Sequence, residues 1–429
     1  MEQERTIRAA LLGAGTVGKG VYKLAGILQE DIVKKTGARL VIDRILVRDK
    51  NRKREGIPAE ILTDRWEEIA EDEGIEIAIE LMGGIEPALT YIQEALRRGK
   101  QVITANKDLL AEHGAQLFEA AAGQGCDLHF EASVAGAIPI IRPLRQSLAA
   151  AGLTEVMGIV NGTTNYILTK MSEEGMGYEE ALQLATRLGY AESDPTADVE
   201  GYDAGRKLAI MASIAFNSRV TFPQVYTEGI TKITAEDIRY AKEFGYAIKL
   251  IGMTRLTEEG IEVKVHPMLI PDQHPLASVR DSFNAVFVHG QACDDAMFMG
   301  RGAGEMPTAS AVMGDVIDCM RNILHGSCGK IGCGCYLNLP VKPIQETASR
   351  FFLRLQVTDK PGALANIAGI LGNNSVSIGQ VVQKKSHNGV AELVIITDSV
   401  RERHFNDAIR ILEGMSVIRE ISGIIRVYG

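Results

Sequence analysis

No stretch of this 429-residue chain is apolar for long enough to span a bilayer, and the opening Met1-Glu2-Gln3-Glu4-Arg5 has none of the apolar core of a secretory signal. Both absences point to a cytoplasmic protein with no membrane partner. No basic run is long enough to track a phosphate backbone, and the net charge is −9, so nucleic acid is not an expected partner. Cysteine is scarce: six residues in this length exclude a disulfide scaffold. Cys126, Cys293 and Cys319 stand apart and read as core or helix residues. Cys328, Cys333 and Cys335 gather in Cys328-Gly329-Lys330-Ile331-Gly332-Cys333-Gly334-Cys335. Three thiols with His325 could hold a metal, but C-x4-C-x-C is not a familiar zinc spacing, and the glycines read as a linker. The sequence leaves a redox or metal role of these three open.

What is present fits a globular protein of two or three domains: 46% apolar and 24% charged residues. Near the start, the apolar strand Ile7–Leu12 feeds Gly13-Ala14-Gly15-Thr16-Val17-Gly18, and an amphipathic run with Val21, Leu24, Ile27 and Leu28 follows. Strand, G-x-G-x-x-G and helix together form the dinucleotide fingerprint. Gly13 permits the tight turn, Gly15 lets the backbone approach a pyrophosphate, and Gly18 lets helix and strand pack closely. The pyrophosphate is then met by free N–H groups and the positive end of the helix dipole.

Strand-like and helix-like patterns alternate through the first third. Strands are expected at 40–47, 75–81, 101–104 and 127–131, with helical patterns between them such as Glu86 to Arg98. That order implies a doubly wound parallel sheet. After the second strand comes Arg48-Asp49-Lys50-Asn51-Arg52-Lys53-Arg54, in which five of seven residues are cationic. An acid here suits the ribose diol of NAD, and an arginine suits the 2′-phosphate of NADP. NADP is favoured, on Arg48, and NAD stays open.

The middle third differs. Asn161-Gly162-Thr163-Thr164-Asn165-Tyr166 is a dense polar turn, and the stretch from Gly189 to Glu200 carries four acids and no base. In the helix expected from Gly201 to Phe216, Asp203, Lys207, Ile210 and Ile214 share one narrow stripe. An i,i+4 Asp–Lys pair is ordinarily a solvated salt bridge. Here it shares its stripe with apolar residues. A charge pair drawn into an apolar face is costly unless compensated, and such a lysine beside carboxylates is how a general acid/base is tuned.

Several further motifs carry a family resemblance. Glu80-Leu81-Met82-Gly83-Gly84, Thr104-Ala105-Asn106-Lys107, Glu131-Ala132-Ser133-Val134-Ala135-Gly136-Ala137-Ile138-Pro139, Gly158–Asn165 and the Gly189 to Lys207 segment resemble, in order, the signatures of the homoserine dehydrogenases. The resemblance runs from the N-terminus to about residue 325. It implies NAD(P)-dependent interconversion of L-homoserine and L-aspartate 4-semialdehyde, in threonine, methionine and isoleucine biosynthesis.

By the same resemblance Lys207 is the acid/base lysine and Lys107 a second catalytic lysine that polarises the carbonyl or touches the nicotinamide. Glu192 and Asp203 receive the substrate. The cofactor residues are Gly13, Gly15, Thr16, Val17 and Gly18 of the turn, with Arg48, Thr104, Lys107 and Gly302. Glu131, Val134, Gly136 and Ile138 match a monovalent-cation site, sodium in this family, made of one carboxylate and carbonyl oxygens; a helix-cap or loop carboxylate is the plain alternative for Glu131. Gly300-Arg301-Gly302-Ala303-Gly304 and the helix expected from about Met306 to Leu324 resemble the stretch with which the family returns to its nucleotide domain.

The last stretch has its own pattern. A linker at Pro340-Val341-Lys342-Pro343 precedes strands and helices in βαββαβ order, with Asp359-Lys360-Pro361-Gly362-Ala363-Leu364 at the first turn. This resembles an ACT regulatory domain, which binds an amino acid; L-threonine is the expected effector. Ser377 departs from the asparagine often found there, and a plain dimerisation module is the alternative. The expected organisation is a Rossmann domain at 1–139 completed by about 300–330, an α+β catalytic and dimerisation domain at 140–299, a linker at 331–349 and an ACT domain at 350–429, assembled as a homodimer or homotetramer. Two other classes are weighed. A hydroxyacid or prephenate dehydrogenase calls for a His–carboxylate dyad and a substrate arginine, which no segment supplies. A nucleotide sensor has no use for Glu192, Asp203 and Lys207. No kinase-like segment precedes the glycine turn, so a fused aspartokinase is not expected.

Overall fold

A computed structural model describes residues 5–383 and 389–429; most of the Met1–Arg5 opening therefore lies outside the described residues. The chain forms two compact units. The first comprises Met1–Leu153, Ala209–Phe222 and Asn284–Asn338, and the second Thr154–Leu208, Pro223–Phe283 and Leu339–Gly429.

The first unit is built on a six-stranded parallel sheet. Its strands are β1 (Arg5–Leu12), β2 (Ala38–Leu46), β3 (Leu62–Thr63), β4 (Ile75–Glu80), β5 (Gln101–Thr104) and β6 (Leu128–His129), in the order β3-β2-β1-β4-β5-β6. That is the dinucleotide-binding order, with its crevice at the carboxyl ends of β1 and β4 where the winding reverses. Five of the six strands fall where the sequence placed them. β3 has only two residues, too short to leave a periodic trace. The central strands are apolar on both faces, as a sheet covered by helices on both sides requires. One core gathers Ile7, Leu11, Ile42, Ile77 and Ile79 under Val21 of helix Thr16–Ile27 and Val312 and Val316 of helix Glu305–His325. These two helices approach closely: a Cβ on Gly20 would lie 2.7 Å from the Glu305 carbonyl oxygen.

In the second unit, one ribbon of hydrogen-bonded strands runs from the middle of the chain into its last segment. Strand Tyr246–Thr257 pairs antiparallel with Gly260–Pro271 along its whole length. Gly260–Pro271 then meets Ile418–Val427 in parallel, through Met268↔Arg426 and Leu269↔Val427. Ala348–Thr358, Val390–Thr397 and Ile378–Gln383 follow. With helices Ala363–Asn373 and Glu402–Glu413 the last segment has the expected βαββαβ order. It has its own core around Phe351, Leu353, Ile367, Phe405 and Leu412. Its sheet is nevertheless continuous with the middle strands, which local periodicity cannot announce.

Buried ion pairs fix that junction. Arg354, with a side chain 4% exposed, donates to Asp237 (2.9 Å), Glu236 (3.1 Å), Glu392 (3.0 Å) and the Thr234 hydroxyl (3.1 Å). Arg426 grips Glu402 with two donors at 2.6 and 2.8 Å and reaches Glu228 at 2.7 Å. Glu402 and Asp237 are each 1% exposed, so each carboxylate depends on its arginine for solvation.

His266 lies in the same region with no exposed surface. Burial, with the charges of Arg426 and Lys264, holds its pKa well below 6.5. Below that pH the unfolded chain takes up a proton that the folded imidazole refuses. The stability this group lends is therefore full above about 6.5 and is lost as pH falls, by up to about 1.4 kcal/mol per pH unit. Thermal melts from about pH 7 to about pH 5 should show a shallower acid decline for His266→Gln than for the parent chain. Parallel declines would assign the acid limb to other groups.

Candidate active site

In the first unit the glycine turn lies at the crevice. Gly13 has φ +111°, and its N–H donates to the Leu46 carbonyl at 3.0 Å, tying the turn to the end of β2. A Cβ on Gly18 would lie 2.3 Å from the Gly13 carbonyl oxygen, so this close packing admits no side chain. At Gly15 an added Cβ would meet nothing within 4 Å. Gly15 and Thr16 are exposed, Val17 is half-buried, and the first turn of the helix carries no acid to oppose its dipole. The turn thus offers open space and free N–H groups to an anion. Arg48, two residues past β2, is exposed, and no acid stands between it and the strand end.

The carboxyl ends of β4 and β5 are braced by a buried acid. Glu80 accepts hydrogen bonds from the N–H groups of Met82 (2.8 Å) and Gly83 (3.1 Å) and from the Thr104 hydroxyl (2.6 Å). Burial nonetheless pushes its pKa upward. The Thr104 hydroxyl also accepts from the Asn106 N–H at 3.0 Å, so this side chain is committed to the brace. Asn106 caps helix Lys107–Gln124 by accepting from Leu109 N–H, and its amide donates to the Gly84 carbonyl at 2.6 Å. Lys107 is the first helical residue, half-buried just beyond the end of β5.

Glu131 is 3% exposed. Its carboxylate accepts from the main-chain N–H groups of Ile140 (2.6 Å), Ile141 (2.7 Å) and Arg142 (2.9 Å). Those donors begin the helical turn that follows the loop, so the carboxylate acts as a remote cap. Beneath it, Asp315 accepts from the Glu131 N–H at 2.8 Å and from Arg142 at 2.7 Å. Burial raises the pKa of both acids. The Ala137 N–H donates to the Arg301 carbonyl, which brings Gly302 beside this loop. No main-chain N–H among the described residues donates to the carbonyls of Val134, Gly136 or Ile138. The loop thus has oxygen atoms suited to a hard cation, but they are carbonyls; the expected carboxylate is already engaged with three amides.

In the second unit the acid–lysine pair of the sequence is closed. The Lys207 ammonium donates to Asp203 at 2.7 Å and to the Val160 carbonyl at 2.7 Å. The two side chains are 13% and 12% exposed, which is far from a solvated pair. Asn161, the last residue before helix Gly162–Glu174, organises the group. Its carbonyl oxygen accepts from the N–H and hydroxyl of Thr164, both at 2.9 Å, which fixes the amide orientation. Its NH2 then donates to Asp203 (2.9 Å) and Asp198 (2.7 Å). Burial, then the charge of Asp203, raises the Asp198 pKa against the hydrogen bond from Asn161. An ammonium has three donors, so Lys207 retains one N–H for a ligand after its two bonds. Glu192 is exposed on the loop before the short helix Thr196–Val199 and is not drawn into this cluster.

Asn161 and Asp198 were not singled out as site residues by sequence. The density of polar groups in Asn161–Asn165 and the acid-rich loop were visible; their convergence on Asp203 depends on tertiary structure.

Residues 13–131 match the family description "Homoserine dehydrogenase, NAD binding domain", residues 139–317 match "Homoserine dehydrogenase", and residues 351–415 match "ACT domain". The chain is 42% identical over 428 residues to a homoserine dehydrogenase of Bacillus subtilis, covering 99% of each. A solved homoserine dehydrogenase from Thiobacillus denitrificans superposes with TM-score 0.94 at 38% identity, covering 99% of this chain and 98% of that one. A hyperthermophilic archaeal homoserine dehydrogenase mutant in complex with NADPH gives TM-score 0.62 at 25% identity and covers 73% of this chain.

Proposed function

The chain belongs to the homoserine dehydrogenase family, and from that premise we propose how its residues divide the work. The reaction is the NAD(P)-dependent interconversion of L-homoserine and L-aspartate 4-semialdehyde, and the ACT domain brings amino-acid feedback. The nicotinamide cofactor, when bound, supplies or accepts the hydride. Gly13, Gly15, Thr16, Val17 and Gly18 hold its pyrophosphate, and Arg48, Thr104, Lys107 and Gly302 complete its site. Thr104 contributes through its main chain, since its hydroxyl is engaged with Glu80.

Lys207 gives a proton to the carbonyl oxygen during reduction and accepts the hydroxyl proton during oxidation. The observation that carries this role is its closed geometry: Asp203 and the Val160 carbonyl hold the ammonium in one place with one donor left over. Asn161 keeps Asp203 from turning away, so the proton donor is oriented before substrate arrives. Lys107 polarises the carbonyl or contacts the nicotinamide. Asp203 and Glu192 receive the substrate's ammonium or hydroxyl. The monovalent cation, sodium by family, is met by the carbonyl oxygens of Val134, Gly136 and Ile138 beside Glu131, whose expected ligand carboxylate is engaged in capping the adjoining turn.

The three-part division expected from sequence stays a proposal, since the two compact units cut across it and join most of the middle domain to the ACT segment; so does a homodimeric or homotetrameric assembly. The finer cofactor choice is NADP. Arg48 as the first charged residue beyond β2 supports it, and so does the NADPH bound to the archaeal relative. The effector is L-threonine, an end product of the reaction's pathway. A groove in the ACT domain lined by Asp359, Pro361, Gly362, Ala363 and Gln383 gives it room beside the start of helix Ala363–Asn373.

Lys207→Ala is expected to lower turnover by roughly 10²–10⁴-fold while NADPH affinity, read by fluorescence titration, stays near that of the parent enzyme. Turnover close to the parent's would remove Lys207 from the proton-transfer step. Arg48→Ala should weaken NADP more than NAD in a comparison at fixed homoserine, because only the 2′-phosphate differs between them. Equal losses would give Arg48 another role. L-threonine added to the full chain should shift the melting temperature and the homoserine-oxidation rate. If threonine, isoleucine and methionine all leave both unchanged, the module serves assembly alone.

A further inference from the structure

We propose that Cys333 and Cys335 form a dithiol–disulfide exchange site for low-molecular-weight disulfides, with Cys333 as the attacking thiolate and Cys335 as the resolving thiol.

The segment that carries them reads as a glycine linker, yet it is tied down residue by residue. The Gly329 N–H donates to Asp127 at 2.8 Å. Arg145 donates to the carbonyls of Ile331 (3.1 Å) and Gly332 (2.8 Å). The Leu337 N–H donates to the Asn217 carbonyl at 2.8 Å. Between these ties the Tyr336 N–H closes a tight turn onto the Gly334 carbonyl at 3.0 Å, folding the chain at Cys335. A flexible tether has no use for this much fixation.

Within the fixed segment the two sulfurs are unlike each other. Cys333 is exposed, and its sulfur accepts a hydrogen bond from the Arg219 guanidinium at 3.1 Å. Cys335, two residues on in the same fixed turn, is half-buried, and its S–H is directed to the Ser213 carbonyl at 3.7 Å. The neighbouring Cys335 thiol, with the Arg219 guanidinium, pulls the Cys333 thiol below its ordinary value, while Cys335 is pushed up. The exposed sulfur beside the guanidinium is thus the one placed to react as a thiolate, and its half-buried neighbour the one placed to keep its proton. The charged groups facing the pair are Arg219 and Arg145. The other perturbed cysteines run the opposite way: burial raises Cys126 and Cys328 to about 11 and lifts Cys319 well above its ordinary value. Among the described residues no group of three His, Cys, Asp or Glu side chains could hold a metal ion, so the pair stands as a dithiol.

The exchange balances in two steps. The Cys333 thiolate attacks one sulfur of R–S–S–R, forming Cys333–S–S–R and releasing RS⁻. Cys335, losing its proton to solvent, then attacks the Cys333 sulfur and expels the second RS⁻. The protein dithiol is oxidised by two electrons and the small disulfide is reduced to two thiols. Once Cys333 is capped, its sulfur carries no charge, and Arg219 favours the resolving thiolate instead. The ring closed by sulfurs two residues apart is strained, and strained disulfides are readily reduced, so the site is reversible.

The test uses full-length protein and oxidised glutathione, followed by alkylation and mass spectrometry of the tryptic peptide 331–350. The parent chain should yield a Cys333–Cys335 disulfide that dithiothreitol removes. Cys335→Ser should stop at a glutathionyl adduct on Cys333. Arg219→Met should slow iodoacetamide labelling of Cys333 at about pH 6 by roughly tenfold yet leave labelling at about pH 9 near the parent rate, which a misfolded segment would not do. The proposal is overturned if Cys333 labels no faster than Cys293 at about pH 6, or if glutathione gives neither disulfide nor adduct. A parent chain that accumulates only the adduct would overturn the resolving role of Cys335.

Discussion

One ammonium held at 2.7 Å from Asp203 and from the Val160 carbonyl sets the terms for the polar cluster of the second unit. A half-buried charge of this kind is tolerable only when its partners are themselves fixed. Asn161 fixes Asp203, and Thr164 fixes Asn161. The chain therefore commits the start of one helix, Gly162–Glu174, and the first turn of another, Tyr202–Ala215, to a single nitrogen. The first unit solves a related problem with opposite sign. Glu80 and Glu131 are carboxylates without water, and each is surrounded by N–H or O–H donors from loops at the ends of β4, β5 and β6. In both units the loops around these groups are held by buried polar contacts and are not left to apolar packing alone.

Much of this was legible before any coordinates. β1 and its glycine turn announce themselves because strand, turn and helix periodicities change within a few residues. The stripe of Asp203, Lys207, Ile210 and Ile214 is legible because a helix has a fixed period, and the structure closes the pair as that spacing suggests. What escaped depends on partners distant in sequence or on elements too short to have a period. β3 is two residues long. Asn161 meets Asp198 and Asp203 only after the chain returns some forty residues later. The Glu131 carboxylate is a formal ligand type in the sequence, but three main-chain amides take it up, and main-chain donors have no letter in the sequence. Cys333 looks like any linker cysteine until Arg219 is placed beside it.

The relatives separate the chain's two layers of function. The archaeal homoserine dehydrogenase that covers 73% of this chain is itself covered over 97% of its length, so nearly all of it matches within part of this chain. The Bacillus and Thiobacillus proteins match nearly end to end, last module included. The last module, whose residues 351–415 match an ACT domain, is joined to the middle segment through one continuous sheet.

That junction bears on how such an enzyme could be re-engineered. Strand Gly260–Pro271 passes its hydrogen bonds straight to Ile418–Val427, and Arg354 and Arg426 are neutralised by Asp237 and Glu228 of the middle segment. The sensor's boundary in sequence is therefore not its boundary in charge. A transplanted sensor from another protein would need to bring its own arginines into register with Asp237 and Glu228, or those acids would have to leave with the old one. Otherwise the graft would strand the Asp237 carboxylate where no water reaches it. The module is portable only as a set of strands together with the counter-charges that lie outside it.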